Sequence, residues 1–246
     1  MICSKSKQMR IGFFGDSLTA GMPGSSYVAV LRERLPDDTL LNFGKGNDTV
    51  VSLYHRISAM EFDQPFDLAF LWIGVNDLLQ IDRWPFRAFH TLIGQRRARD
   101  MDEFRAYHRA TLDLLCSHAD RVIVAPPVLK GENLGNRTNR RLAVLAESIQ
   151  EVAAGYERVE FLDLCAIFAQ ELAESPVSDY VSRNPFRVLL DASTLRTDRQ
   201  IDAKAAERGL HLTLDGVHLN SAGARLVADA LARIVQERHA APTLTD

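Results

Sequence analysis

Short apolar runs alternate with amphipathic stretches along most of this chain. Ile11 to Phe14, about Thr39 to Leu41, Leu68 to Ile73, Val122 to Ala125 and Val159 to Leu162 have the length and composition of strands buried on both faces. Between them, Tyr27 to Leu35, Val50 to Met60, about Met101 to Ser117 and Asn139 to Ala154 carry apolar residues three and four positions apart. That spacing puts them on one side of a helix. Strand and helix in regular alternation predict an α/β fold, a parallel five-stranded sheet sandwiched between two helical layers. A last helix is predicted from about Ser221 to Glu237, with Ala222, Leu226, Val227, Ala230, Leu231 and Ile234 on one stripe and Asn220 or Ser221 as its N-cap.

Two stretches break the rhythm, about 78–100 and about 175–211, and both are expected to be insertions over the carboxyl edge of the sheet. With no repeat, low-complexity tract or linker, the 246 residues predict a single domain. Composition changes this picture little: 46% apolar and 25% charged residues are ordinary for a globular chain. The formal net charge of -3 provides no positive field for a nucleic acid backbone. Arg96, Arg97 and Arg99 are followed at once by Asp100, Asp102 and Glu103, which reads as a solvated charged segment. Cys3, Cys116 and Cys165 are odd in number and have no CxxC spacing, which argues against a disulfide framework or a zinc site. The polar opening residues and the absence of a long apolar run predict a cytoplasmic protein without a transmembrane segment. No cofactor or metal is called for.

Four segments at inferred strand ends carry candidate chemistry. Phe14-Gly15-Asp16-Ser17-Leu18 ends the first strand in a turn that exposes a serine at the carboxyl edge of the sheet, although aspartate and serine also favour turns for local reasons. Asn42 to Thr49 is a glycine-bearing loop after the second strand, and it lacks the spacing of a phosphate-binding loop. Gly74-Val75-Asn76-Asp77 follows the central strand, where Asn76 can turn an amide toward an oxyanion or simply form a turn. Asp215-Gly216-Val217-His218 precedes the last helix. Three apart on a short loop, the carboxylate can hold one imidazole nitrogen and leave the other facing outward, as a general base requires. His55, His90, His108, His118, His211 and His239 lack such a neighbour and read as structural.

Together the four segments resemble the blocks of the GDSL family of SGNH hydrolases, from Ile11 to about Val235. The resemblance implies a flavodoxin-like α/β/α sandwich and a serine hydrolase, an esterase or lipase, that cleaves a small acyl ester. In that reading Ser17 is the nucleophile, His218 the base and Asp215 the residue that orients it. The oxyanion would be held by the Ser17 N-H, a backbone N-H in the Gly46 and Asn47 region, and the Asn76 amide. One departure stands out: Asn47 falls where the family expects its donor glycine, with Gly46 one place earlier. An acyltransferase or thioesterase would use the same triad, and a non-catalytic binding module would keep the same crevice. For the substrate, Trp84, Phe86, Phe89 and His90 are candidates to line an acyl pocket or to seat the first insertion, and Arg83, Arg87 and Arg96 are candidates for an anionic group.

Overall fold

The computed structural model describes residues 8–82, 95–182 and 184–240. Its sheet contains β1 (Arg10–Gly15), β2 (Thr39–Gly44), β3 (Phe66–Trp72), β4 (Ala119–Ala125) and β5 (Val159–Phe161). All neighbours pair in parallel, in the order β2-β1-β3-β4-β5. The chain therefore winds to one side of β1 and then returns to the other. A crevice opens where that direction reverses, beyond the carboxyl ends of β1 and β3.

Successive side chains on a strand point to opposite faces, so each strand feeds two cores. Phe13, Phe70 and Trp72 pack with α2 (Tyr27–Arg34), α7 (Leu164–Leu172) and α10 (Ser221–Ala240) through Tyr27, Leu31, Phe168, Val227 and Leu231. Phe14, Ala69 and Leu71 pack on the other face with α3 (Val50–Ile57), α5 (Met101–His118) and α6 (Arg137–Ala153) through Leu53, Ile57, Leu112, Leu115, Leu145 and Ile149. Trp72 is core, as its strand position predicts, and its indole N-H donates to the Pro126 carbonyl at 2.9 Å.

The structure also contains helices beyond those the sequence predicts. The turn α1 (Ser17–Ala20) is too short to show a period, while α4 (Val75–Asp82) continues directly from the third motif. Within the second irregular region lie α8 (Pro185–Thr194) and α9 (Asp198–Glu207). β2 runs to Gly44 rather than stopping at Leu41, because its hydrogen-bonded register with β1 continues to Gly15. α3 stops at Ile57, short of the predicted Met60, as Ser58, Ala59 and Met60 close into turns. Arg96, Arg97 and Arg99 are exposed. Arg83, Trp84, Phe86, Arg87, Phe89 and His90 lie outside the described residues. Among the described residues, no helix is long and apolar enough to cross a membrane.

The loop before α10 is fastened by a carboxylate that joins no strand. Glu132, 3% exposed, accepts from the backbone N-H groups of His211, Leu212 and Thr213 at 2.6, 2.9 and 2.8 Å, and from the Thr213 hydroxyl at 2.7 Å. Gly216 completes the fastening. Its carbonyl accepts from Gly131 N-H at 2.6 Å, and with φ at +91° a Cβ there would stand 2.8 Å from the Tyr180 carbonyl. The side chain of Asn220 then caps α10, accepting from Gly223 N-H at 3.0 Å. Glu132→Ala leaves these donors buried without a partner, at a cost of about 1–3 kcal/mol each. The urea unfolding midpoint of that variant is expected to fall by the equivalent of at least about 2 kcal/mol; an unchanged midpoint would show that water substitutes for the carboxylate.

Candidate active site

The register of the sheet makes four exits level. Gly15 pairs with Gly44 on one side and Trp72 on the other, and Trp72 pairs with Ala125. The residues that follow these positions all leave at one edge. Asp16 caps α1 by accepting from Leu18 N-H at 2.9 Å, which places Ser17 on the first position of that turn. Gly15 cannot carry a side chain, since a Cβ would lie 2.3 Å from both the Thr19 hydroxyl and the Trp72 carbonyl.

Ser17 and His218 meet across 201 residues of sequence, with Oγ and Nε2 3.0 Å apart. On the far side of the ring, Nδ1 stands 2.8 Å from Asp215 Oδ2. The other carboxylate oxygen, Oδ1, accepts from the Val217 and His218 backbone N-H groups at 3.0 and 2.9 Å. Burial would raise the pKa of Asp215, but the His218 ring and these donors outweigh it and hold the carboxyl below its ordinary 3.8. Burial would likewise lower the pKa of His218, yet the adjoining Asp215 charge prevails and lifts it above 6.5. The ionised carboxylate faces Nδ1, so Nδ1 carries the ring hydrogen and the Nε2 lone pair faces Ser17.

The second and third motifs lock together beside the serine. Asn76 Nδ2 donates to the Asp48 carbonyl at 2.9 Å and lies 3.4 Å from Asp16 Oδ2. Asp48 is buried, and its side chain pairs with Arg56, whose guanidinium also donates to the Phe43 carbonyl at 2.8 Å. Asp77 accepts from Val50 N-H at 3.1 Å, which fastens α4 to the start of α3. Gly46 and Asn47 lie at the exposed tip of the loop, and Asn47 has a left-handed φ of +66°. Burial pushes two carboxyls here upward, Asp16 to about 7 and Asp77 to about 8.

These groups border one cavity of about 240 Å³, lined by Ser17, Gly46, Asn47, Asn76, Asp215 and His218. Lys130, Ser182 and apolar residues of α8 border it too, and sequence reasoning did not single them out. A signal for Lys130 and Glu132 existed, because both follow β4 at the edge where the other motifs emerge. A more open hollow of about 440 Å³ lies at the opposite, amino end of the strands, around Arg10, Thr39 and Phe66, remote from this constellation. Of the other histidines, His108 is buried against Phe104 with its pKa pushed by burial down to about 4, and His239 bonds Asp38 at 2.9 Å. His55, His118 and His211 do not border the cavity, and His90 lies outside the described residues.

Solved structures of the same shape include Axe2, an acetylxylan esterase from Geobacillus stearothermophilus. It is 21% identical, with 93% of this chain and 95% of that one covered and a TM-score of 0.65. The acetyl xylan esterase AlAXEase matches at 21% identity over 92% of this chain and 100% of its own, with a TM-score of 0.62. LAE5, an alpha/beta hydrolase enzyme from the metagenome of Lake Arreo, Spain, matches at 19% over 93% and 95%, with a TM-score of 0.63. At such identities the likeness is one of fold. A comparison with curated protein sequences gave no match. The family model for the GDSL-like lipase/acylhydrolase family matches residues 13–226, and the chain therefore belongs to that family of ester hydrolases.

Proposed function

We propose that the protein is a metal-independent serine esterase that hydrolyses carboxylic esters through an acyl-enzyme on Ser17. The observation that carries this reading is the continuous relay Ser17 Oγ to His218 Nε2 at 3.0 Å and His218 Nδ1 to Asp215 Oδ2 at 2.8 Å, opening into one cavity.

Ser17 Oγ adds to the ester carbonyl carbon while its proton passes to His218 Nε2. Asp215 stays ionised throughout and stabilises the imidazolium. The tetrahedral intermediate collapses with cleavage of the bond to the alcohol oxygen, which takes the proton from His218. Water then enters, gives a proton to the same nitrogen and attacks the acyl-enzyme carbonyl; the proton returns to Ser17 as the acid leaves. The oxyanion is met by the Ser17 N-H, the Asn76 amide and an N-H at the loop tip. The left-handed φ of Asn47 supports the Asn47 N-H as that last donor, since it is the backbone geometry for which a glycine is otherwise used. Asn76 has one firm internal acceptor and one long one, and the long contact to Asp16 is the one an oxyanion would replace.

Ser17→Ala is expected to lower kcat/KM for p-nitrophenyl butyrate by at least about 10³-fold with unchanged circular dichroism; retention of most activity would remove Ser17 from the chemistry. A fluorophosphonate should label the wild type and not this variant, and EDTA should leave turnover unaltered. Asn76→Ala should cost about 10²–10³ in kcat. Because His218 accepts a proton only when neutral, kcat/KM should rise with pH through a midpoint above 6.5. Asp215→Asn removes the charge that lifts this pKa, so the residual activity of that variant should show its rise at lower pH. A midpoint that does not move would mean the limb belongs to another group.

A further inference from the structure

We infer that α8 is the acyl-binding wall of this site and that the enzyme's substrates are esters of apolar acyl groups longer than acetyl. The inference rests on the esterase reading above and adds a substrate class to it.

Pro185, Val188, Leu189 and Ala192 of α8 all border the cavity that contains Ser17 and His218. Their spacing, i, i+3, i+4 and i+7, is that of a single helix face. Met22 and Val217 border the same cavity, so its walls away from the triad are largely hydrocarbon. An acetyl group brings one methyl to such a space and leaves the rest to water.

The anchoring of α8 is inverted relative to an ordinary amphipathic helix. The residue it buries is Asp191, which pairs with Arg208 at 2.8 Å, both side chains being under a tenth exposed. Arg208 in turn donates to the Leu214 carbonyl at 2.9 Å and sits over the Tyr180 ring at 5.4 Å. A helix held from behind by an ion pair has its apolar residues left for something else, and here Leu189 is 64% exposed while bordering the cavity. Apolar surface that runs from outside into a catalytic cavity is continuous with the reacting centre. A hydrocarbon chain esterified at the carbonyl that Ser17 attacks is the occupant that covers it in the required place. Phe186 and Leu190 are exposed on the outer side of the same helix and do not border the cavity.

Each buried methylene contributes about 0.8 kcal/mol, which is three- to fourfold in kcat/KM if the contact is made in the transition state. With the full chain and p-nitrophenyl acetate, butyrate and hexanoate, kcat/KM is expected to rise about tenfold from acetate to butyrate and to rise again at hexanoate. Leu189→Ser should reduce the hexanoate-to-acetate ratio several-fold, and Ala192→Leu, which narrows the cavity without exposing new polar groups, should shift the preference toward shorter chains. Phe186→Ser serves as a control and should leave the ratio unaltered. A flat or acetate-favouring profile from an enzyme whose Ser17 still reacts with a fluorophosphonate would overturn the acyl wall and leave the esterase reading intact. No turnover of any ester and no labelling would remove both. A concentration-dependent dimer in sedimentation, lost in Leu189→Ser while the chain-length ratio holds, would assign this face to a second copy of the chain and also overturn the proposal.

Discussion

Level strand ends are the constraint on which the site depends. In a parallel sheet every strand delivers its next residue at the same edge, and the pairing of Gly15 with Gly44 and Trp72, and of Trp72 with Ala125, brings those deliveries into one line. A slip of one residue in any pair would turn the side chains of that strand to the other face. Phe13 and Phe14, which now serve different cores, would then exchange places. The depth of packing on both faces thus fixes the register, and the register fixes where Ser17, the Asn47 loop and Asn76 stand. The Asp215–His218 loop belongs to no strand of the sheet and needs its own fastening. Glu132 and the Gly131–Gly216 contact provide it from the end of β4, so the same edge governs all four motifs.

The carboxyls around the cavity divide into two kinds. Asp215 is buried yet remains acidic, because the His218 ring and two backbone N-H groups face it. Asp16 is equally buried, and the Leu18 N-H and the His218 ring draw its pKa down without offsetting burial, which pushes it to about 7. In the proposed mechanism, the acidic Asp215 stands beside the ring that would take the proton, and the weaker acid Asp16 stands beside Asn76, the proposed oxyanion donor. A fully ionised carboxylate 3.4 Å from the Asn76 amide would compete for the same N-H.

Much of this was legible in the residues. Strand runs were visible because a strand buried on both faces is apolar throughout, and α5 and α6 because each presents one apolar stripe over many turns. Helices α8 and α9 were missed although their start signals are present: Asn184 caps before Pro185, and Thr197 forms a capping box with Gln200. α8 also carries an apolar stripe, Pro185, Val188, Leu189 and Ala192, but it spans only about two turns. Tertiary structure turns that stripe to a cavity and solvent while burying an aspartate. Glu132 was missed because a lone acidic residue shows nothing of the three backbone N-H groups that converge on it from about eighty positions away.

Taken alone, the order of residues determined the layered α/β class, the strand identities and the chemical types present at each strand end. Those properties are local, arising from periodicity, turn preference and the spacing of Asp215 and His218. Tertiary structure decided which of these ends meet, the left-handed turn at Asn47, the two opposite pKa directions among the buried carboxyls, and the apolar wall beside the serine. Each of those depends on distances between segments far apart in the chain, set when both faces of the sheet are covered and the loops at its edge are fastened.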